Sequence, residues 1–320
     1  MPCGDNSVSR SPPDATKHVG SATTRATFHP RSPGTNPGTQ PRRSQLTAED
    51  YLNVLAAAIE AGLKRVYFTG GEPLLSPLAR PVLNGLPDTD PDGSYTLVTN
   101  GTLVRRNQAW LASAPLDKVK VSLHYFSDAS LWQIARYRQG IEVVLDGIDA
   151  SREICERVEL NTLLQRENEH EIMPILDYAL ERRLPIQFIE LVDTDFNSEH
   201  RASGISADAV IRHLRTLTSD ERTEVAGVGQ GRRVFRVDGV EIEVIHKGLG
   251  RHHVGQCGTC PVRPKCVEGF WALRMDHTGG LQPCLLREDL RLDLRRHLDN
   301  PDALMSAAAH HIAGFTEGTL

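Results

Sequence analysis

Tyr67-Phe68-Thr69-Gly70-Gly71-Glu72-Pro73 decides the fold. The preceding Arg65–Thr69 reads as a short strand, and it runs directly into two glycines and an acid. Glycines at that place let a ligand approach the backbone closely. A carboxylate at a strand's C-terminal end can accept hydrogen bonds from an ammonium group. A lone Gly-Gly would be read as a plain turn between strand and helix. The full Gly-Gly-Glu-Pro run is a far more specific signal.

The same pattern repeats downstream. Tyr95–Thr99, Lys118–Leu123, Val158–Leu164 and Ile186–Leu191 are short apolar runs, with helical stretches such as Ile141–Arg157 and Glu169–Arg182 between them. Strand starts recur roughly every 23–40 residues, the rhythm of strand–helix units around a parallel sheet. Polar groups close these strands: Thr99-Asn100-Gly101, Ser122-Leu123-His124, Asn161-Thr162 and Gln187-Phe188-Ile189-Glu190. Each alone reads as a capped strand end. Their order and spacing carry the weight, because parallel barrels place chemistry at the C-terminal ends of strands. Five such strands, with one more expected ahead of Arg65, are too few for a closed eight-stranded barrel. The expected class is therefore α/β, a partial parallel (β/α)6-type barrel over residues 45–220.

Order is expected from Thr47, where Thr47-Ala-Glu-Asp50 resembles a capping box. Leu52, Leu55, Ala56, Ile59 and Leu63 follow at helical spacing. Residues 1–44 hold seven prolines and only five residues from Val, Ile, Leu, Met, Phe, Trp, Tyr and Cys. That composition cannot offset ordering entropy, so a disordered segment, or one foreign to the rest, is expected there.

The rhythm breaks near residue 220. Arg233–Val237 and Val240–Ile245 around Asp238-Gly239 read as a β-hairpin, and a second is expected at Thr278-Gly279-Gly280. A helix closes the chain at Pro301–Ile312. Between them Cys257, Cys260, Cys266 and Cys284 crowd together, while Cys155 reads as a packed thiol and Cys3 as inert. Clustered cysteines in a cytosolic chain read as metal ligands before disulfides. Spacing alone leaves zinc and an iron–sulfur cluster equally open. Residues 221–320 are thus expected to be a small C-terminal appendage that holds a metal centre.

The net charge of −5 supplies no basic footprint for nucleic acid. No stretch approaches the roughly 18 apolar residues of a membrane span, and no secretory signal is visible. The expectation is a cytoplasmic protein without nucleic-acid or membrane partners.

These motifs together resemble the radical S-adenosylmethionine (SAM) superfamily, in the branch of the molybdenum-cofactor GTP 3′,8-cyclases, from about Leu46 to Leu286. By that resemblance Gly70, Gly71, Glu72, Thr99, Asn100, Ser122 and Asn161 face SAM. Gly280-Leu281-Gln282-Pro283-Cys284-Leu285 resembles the branch's auxiliary-cluster hairpin, which makes the four cysteines ligands of an auxiliary 4Fe–4S cluster. The resemblance further implies a small-molecule substrate and a flavodoxin- or ferredoxin-like electron donor.

Family members hold the SAM-cleaving cluster through Cys-x3-Cys-x2-Cys, and no such triplet precedes Gly70 here. Little or no SAM cleavage is therefore expected of the chain as written. The branch's triphosphate-binding lysine is matched by Glu159, its arginine after the Gly-Gly-Glu-Pro loop by Ser76-Pro77, and its Gly-Gly tail by Glu317-Gly-Thr-Leu320. These departures point to a different small molecule, nucleoside- or sugar-derived, in natural-product biosynthesis. The alternatives are a GTP cyclase, or a non-catalytic barrel with one structural iron–sulfur or zinc site.

Overall fold

Every short apolar run becomes a strand in the computed structural model. It describes residues 46–88, 91, 93–191, 203–225, 230–266, 268–270 and 272–315. The expectation for residues 1–44 lies outside them. The parallel strands are β1 (Arg65–Phe68), β2 (Ser94–Thr99), β3 (Lys118–Ser122), β4 (Val158–Leu164) and β5 (Ile186–Glu190). Further on lie β6 (Glu221–Glu224), β7 (Arg232–Val237) and β8 (Val240–Ile245). All eight form one sheet in the order β1-β2-β3-β4-β5-β8-β7-β6. β8 runs parallel to β5, while β6 and β7 add antiparallel.

Here the hairpin departs from expectation. It extends the main sheet instead of starting the appendage, and β8 supplies the sixth parallel strand from the far edge. The reason is its apolar face: Val240, Ile242 and Val244 are buried and continue the core of Phe188 and Phe235. Asp238 and Gly239 turn the chain with φ of 47° and 82°, the left-handed pair that matches strand twist. The sheet is a partial barrel, open by hydrogen bonding between β1 and β6.

Helices cover one face: α1 (Ala48–Glu60), α2 (Ala79–Asn84), α3 (Val104–Leu111), the single turn α4 (Asp128–Ser130), α5 (Glu142–Ile154), α6 (Ile172–Glu181) and α7 (Asp208–Leu217). α1 starts as its sequence dictates: Thr47 Oγ1 accepts from the Asp50 amide at 3.2 Å, and Asp50 accepts from the Thr47 amide at 2.7 Å. Val119 and Val121 bury against the helices, while Lys118, Lys120 and Ser122 alternate onto the other face. Strands of a parallel sheet covered on both faces are usually apolar throughout. This alternation reserves an inner face for polar groups.

The C-terminal part is a small sheet, β9 (Arg274–Met275), β10 (Gly280–Gln282) and β11 (Leu292–Asp293), closed by α8 (Pro301–Ala313). It does not stand alone. Leu281, Leu294, Leu304 and Ala308 share a core with Val54 and Ala57 of α1. Among the described residues no helix is long and apolar enough to cross a membrane.

Candidate functional site

Parallel register lines up the strand ends. Ser122 pairs with Asn161 and Asn161 with Gln187, and Gln187 in turn pairs with Glu243. Above this row sits Glu72, 9% exposed, at the end of β1. Its Oε1 accepts from the Leu74 amide at 3.0 Å and from Thr99 Oγ1 at 2.9 Å, and its Oε2 from the Asn100 amide at 2.7 Å. Glu72 therefore ties the Gly70-Gly71 loop to the end of β2. Burial pushes its carboxyl above the usual range, and the Asn100, Leu74 and Thr99 donors pull it back. Three donors on a group with about four lone-pair sites leave room for one more.

Asn100 continues the chain of contacts, because its Oδ1 accepts from Thr102 Oγ1 at 2.7 Å. Gly101 sits at φ 83°, a conformation side chains rarely adopt. Asn161 is fully buried, donates weakly to Ser122 Oγ at 3.5 Å, and its Oδ1 has no hydrogen-bond partner. A buried orphan acceptor costs about 1–3 kcal/mol unless something bonds it. This is the observation that tests the fit to SAM. An unused acceptor beside Ser122 and an open lone pair on Glu72 both suit a ligand rich in N–H and O–H donors. The sequence-derived residues Glu72, Thr99 and Asn100 meet directly, and Ser122 meets Asn161.

His124, half-buried just past β3, accepts the Leu163 amide on Nδ1 at 3.1 Å. Desolvation lowers its pKa to about 4, so the ring is neutral at pH 7. On the inner face Glu159 pairs with Lys118, and with Lys120 at 3.2 Å.

The cysteine loops are built differently. Cys257, Cys260, Cys266 and Cys284 are free and partly buried. Cys257 lies near Cys260, Cys266 and Glu268, and Cys284 near Glu268. Burial pushes the Cys257 thiol up and the Cys284 thiol to about 11. Among the described residues no three His, Cys, Asp or Glu side chains stand close enough to hold a metal ion. The donor chemistry nonetheless suits thiolate ligation. Cys266 Sγ accepts the Gly269 amide at 3.3 Å, and Cys260 Sγ accepts Arg287 Nη1 at 3.5 Å. N–H donors around sulfur are how proteins tune metal-bound thiolates.

Sequence reasoning missed the element that holds these loops together. Glu268 and Arg274, 5% and 6% exposed, form a buried ion pair, and Glu268 Oε2 also accepts the Leu285 amide at 2.7 Å. An acid two residues after Cys266 was the available signal. Cys155 is the packed thiol expected, buried at the end of α5.

Residues 25–179 match the family model of the Radical SAM superfamily. The chain resembles the radical SAM superfamily. The match reaches further toward the N-terminus than the motifs alone, which begin near Leu46. Among the chain's relatives, the GTP 3′,8-cyclase 2 of Pseudomonas aeruginosa is 29% identical over 280 residues, 83% of this chain and 78% of that protein. The GTP 3′,8-cyclase of Aliarcobacter butzleri is 26% identical over 251 residues, 78% of this chain and 73% of that one. A solved structure of anSMEcpe with bound AdoMet covers 83% of this chain and 71% of its own, at 14% identity and a TM-score of 0.45. That likeness is too loose to bear on the site. The resemblance is to radical SAM enzymes, and enzymes of that superfamily bind SAM and 4Fe–4S clusters.

Proposed function

We propose that this chain is a radical SAM enzyme acting on a small molecule. Gly70, Gly71, Glu72, Thr99, Asn100, Ser122 and Asn161 face SAM in this reading, and Cys257, Cys260, Cys266 and Cys284 hold an auxiliary 4Fe–4S cluster. The carrying observation is Glu72, a buried carboxylate with room for one further donor, such as the methionyl ammonium of SAM. SAM supplies a 5′-deoxyadenosyl radical in this superfamily when a reduced 4Fe–4S cluster feeds it one electron. No Cys-x3-Cys-x2-Cys stands among the described residues, so none of them is assigned to that cluster. The chain's own residues bind and orient SAM. A flavodoxin- or ferredoxin-like protein is the electron donor this reading needs.

Equilibrium dialysis of SAM against the wild-type chain and Glu72→Gln tests the reading. Wild type binds, and the variant, which cannot pair its amide with an ammonium as a carboxylate does, binds at least about tenfold more weakly, a loss of about 1.4 kcal/mol. Equal binding by both, or none by wild type, sinks it.

The names of the relatives favour a second reading, cyclisation of GTP. The inner face supports a less anionic substrate. Lys118 and Lys120 share Glu159, which leaves one net positive charge where a triphosphate wants several. Tight GTP binding by the wild-type chain would decide for the cyclase.

A further inference from the structure

The polar row on the inner face continues past the groups assigned to SAM. Gln187 Nε2 donates to Glu243 Oε2, and the same oxygen accepts from Arg232 Nη1 at 2.7 Å. Arg232 Nε also stands 3.8 Å from Glu224, too far for a hydrogen bond. From Asn161 on β4 the row thus crosses Gln187 on β5 and Glu243 on β8 to reach Arg232 on β7. That is three strand spacings, about 14 Å along the sheet. Arg232 lies opposite Ile245, and Ile245 packs on Leu163, Ile189 and Leu191. These four make an apolar patch at the C-terminal mouth of the same face. Two residues before Arg232 the strand makes one more bridge, Gln230 opposite Arg251. Opposite residues of an antiparallel pair share a face, as do residues two apart along a strand. Gln230, Arg232 and Arg251 therefore gather beside the apolar patch.

Polar atoms are left over at this spot. Arg232 Nε, Arg251 Nε and Gln230 Oε1 are buried without a hydrogen-bond partner among the described residues. Arg251 spends Nη1 on the Lys247 and Gly250 carbonyls, at 2.7 and 3.2 Å, and makes no ion pair with a described residue. Each guanidinium thus has Nη1 engaged and its Nε side idle. Buried donors without partners are costly and rare, and a bound ligand relieves them. The Nε–Nη2 edge is a planar fork that grips a carboxylate through two parallel hydrogen bonds. Both side chains are partly exposed, so a solute can reach them. Glu243 offsets the charge of Arg232, which leaves that of Arg251. One net positive charge matches a single carboxylate and falls short of a triphosphate.

We propose that Arg232 and Arg251, with Gln230 beside them, bind the carboxylate of the substrate, and that its apolar body lies on Leu163, Ile189 and Ile245. The substrate class is then a small carboxylic acid with a hydrocarbon portion. Calling this ligand the substrate rests on the function proposed above, because the same inner face carries the groups assigned to SAM. Glu243 and Gln187 are positioning residues, which hold Arg232 by its Nη1 and leave the other edge for the ligand.

The probe is hexanoate, titrated into the full-length chain and followed by ligand-observed NMR, with hexanamide as its uncharged counterpart. Wild type binds hexanoate with a dissociation constant on the order of a millimolar, and hexanamide at least about tenfold more weakly. Arg251→Gln weakens hexanoate binding by about tenfold, and Arg251→Lys, which keeps the charge and loses the fork, restores only part of it. Arg296→Gln, at a side chain 68% exposed elsewhere on the surface, changes nothing. Circular dichroism checks that the variants fold, and the comparison of hexanoate with hexanamide needs no variant. Equal affinity for the two probes, wild-type affinity in Arg251→Gln, or no hexanoate binding by wild type overturns the proposal. So does tighter binding of hexyl phosphate, which would make this a phosphate-monoester site. SAM binding is measured by dialysis on the same samples. Hexanoate binding without SAM binding sinks the proposed function and leaves the carboxylate site standing; the reverse sinks the carboxylate site alone.

Discussion

The Glu72 site and the cysteine loops are assembled by opposite means. Around Glu72, parallel register places each group. β1 and β2 pair from Arg65 with Ser94 to Phe68 with Leu97, and this brings the loop after one strand onto the end of the next. The cysteines sit instead on single helical turns and short strands of two or three residues. Their shared core is six residues, two of them borrowed from α1. What the sheet does with many backbone hydrogen bonds, the loops do with one buried ion pair. The first site is fixed by the fold itself, whereas the second depends on a few side chains and on whatever the thiols bind.

The sharpest way to break that contrast is Glu268→Ala. It removes the carboxylate facing Arg274 and the acceptor of the Leu285 amide. Breaking a buried pair in this way costs about 3–5 kcal/mol. Amide hydrogen exchange is expected to speed up across the cysteine loops, β9 and β10, while β2 to β5 stay protected. Equal loss of protection in both regions would show that the loops and the sheet are one cooperative unit.

A second, smaller effect tests the sheet side. His124 is held neutral, with its pKa lowered from 6.5 to about 4. A group depressed in the folded state contributes stability that is present above pH 6.5 and is lost as pH falls toward 4. The ceiling is about 3 kcal/mol, reduced because the ring is only half-buried. Denaturant midpoints measured from pH 7 to pH 4 are expected to fall, and His124→Gln, which keeps an acceptor, is expected to flatten that slope. A slope unchanged by His124→Gln assigns the loss to other groups.

Much of the first region was legible because the physics that builds it is local and periodic. Strand starts, the Thr47 cap and the Asp238-Gly239 turn each announce themselves within a few residues. β8 is the expected strand of the hairpin, but it joins a different sheet from the one its position in the sequence suggests. A hairpin's sequence fixes its turn, but which sheet it joins depends on the burial of Val240, Ile242 and Val244 against distant residues. The Glu268–Arg274 pair was hidden for a related reason. An acid two residues after Cys266 marks Glu268 as a candidate, but nothing local says that it and Arg274 will be buried together.

Gly147 shows how such long-range fitting reaches the site, and it carries the smallest predicted effect. By local rules it is a poor residue in the middle of α5, and replacement by alanine should gain up to about 1 kcal/mol. Tertiary packing reverses the sign. A Cβ on Gly147 would lie 2.0 Å from the Gly101 carbonyl oxygen, backbone that cannot rotate away. Gly147→Ala must therefore push α5 off the Asn100-Gly101 loop, at a cost of about 1–3 kcal/mol for overpacking, for a net loss of about 1 kcal/mol. Because Asn100 donates to Glu72 at 2.7 Å, the displacement passes into the proposed SAM site. The variant is expected to be slightly less stable and to bind SAM more weakly than that stability loss alone explains. A stabilised Gly147→Ala protein with unchanged SAM binding would mean that the loop yields freely, and that the strand-end site is less rigid than its register implies.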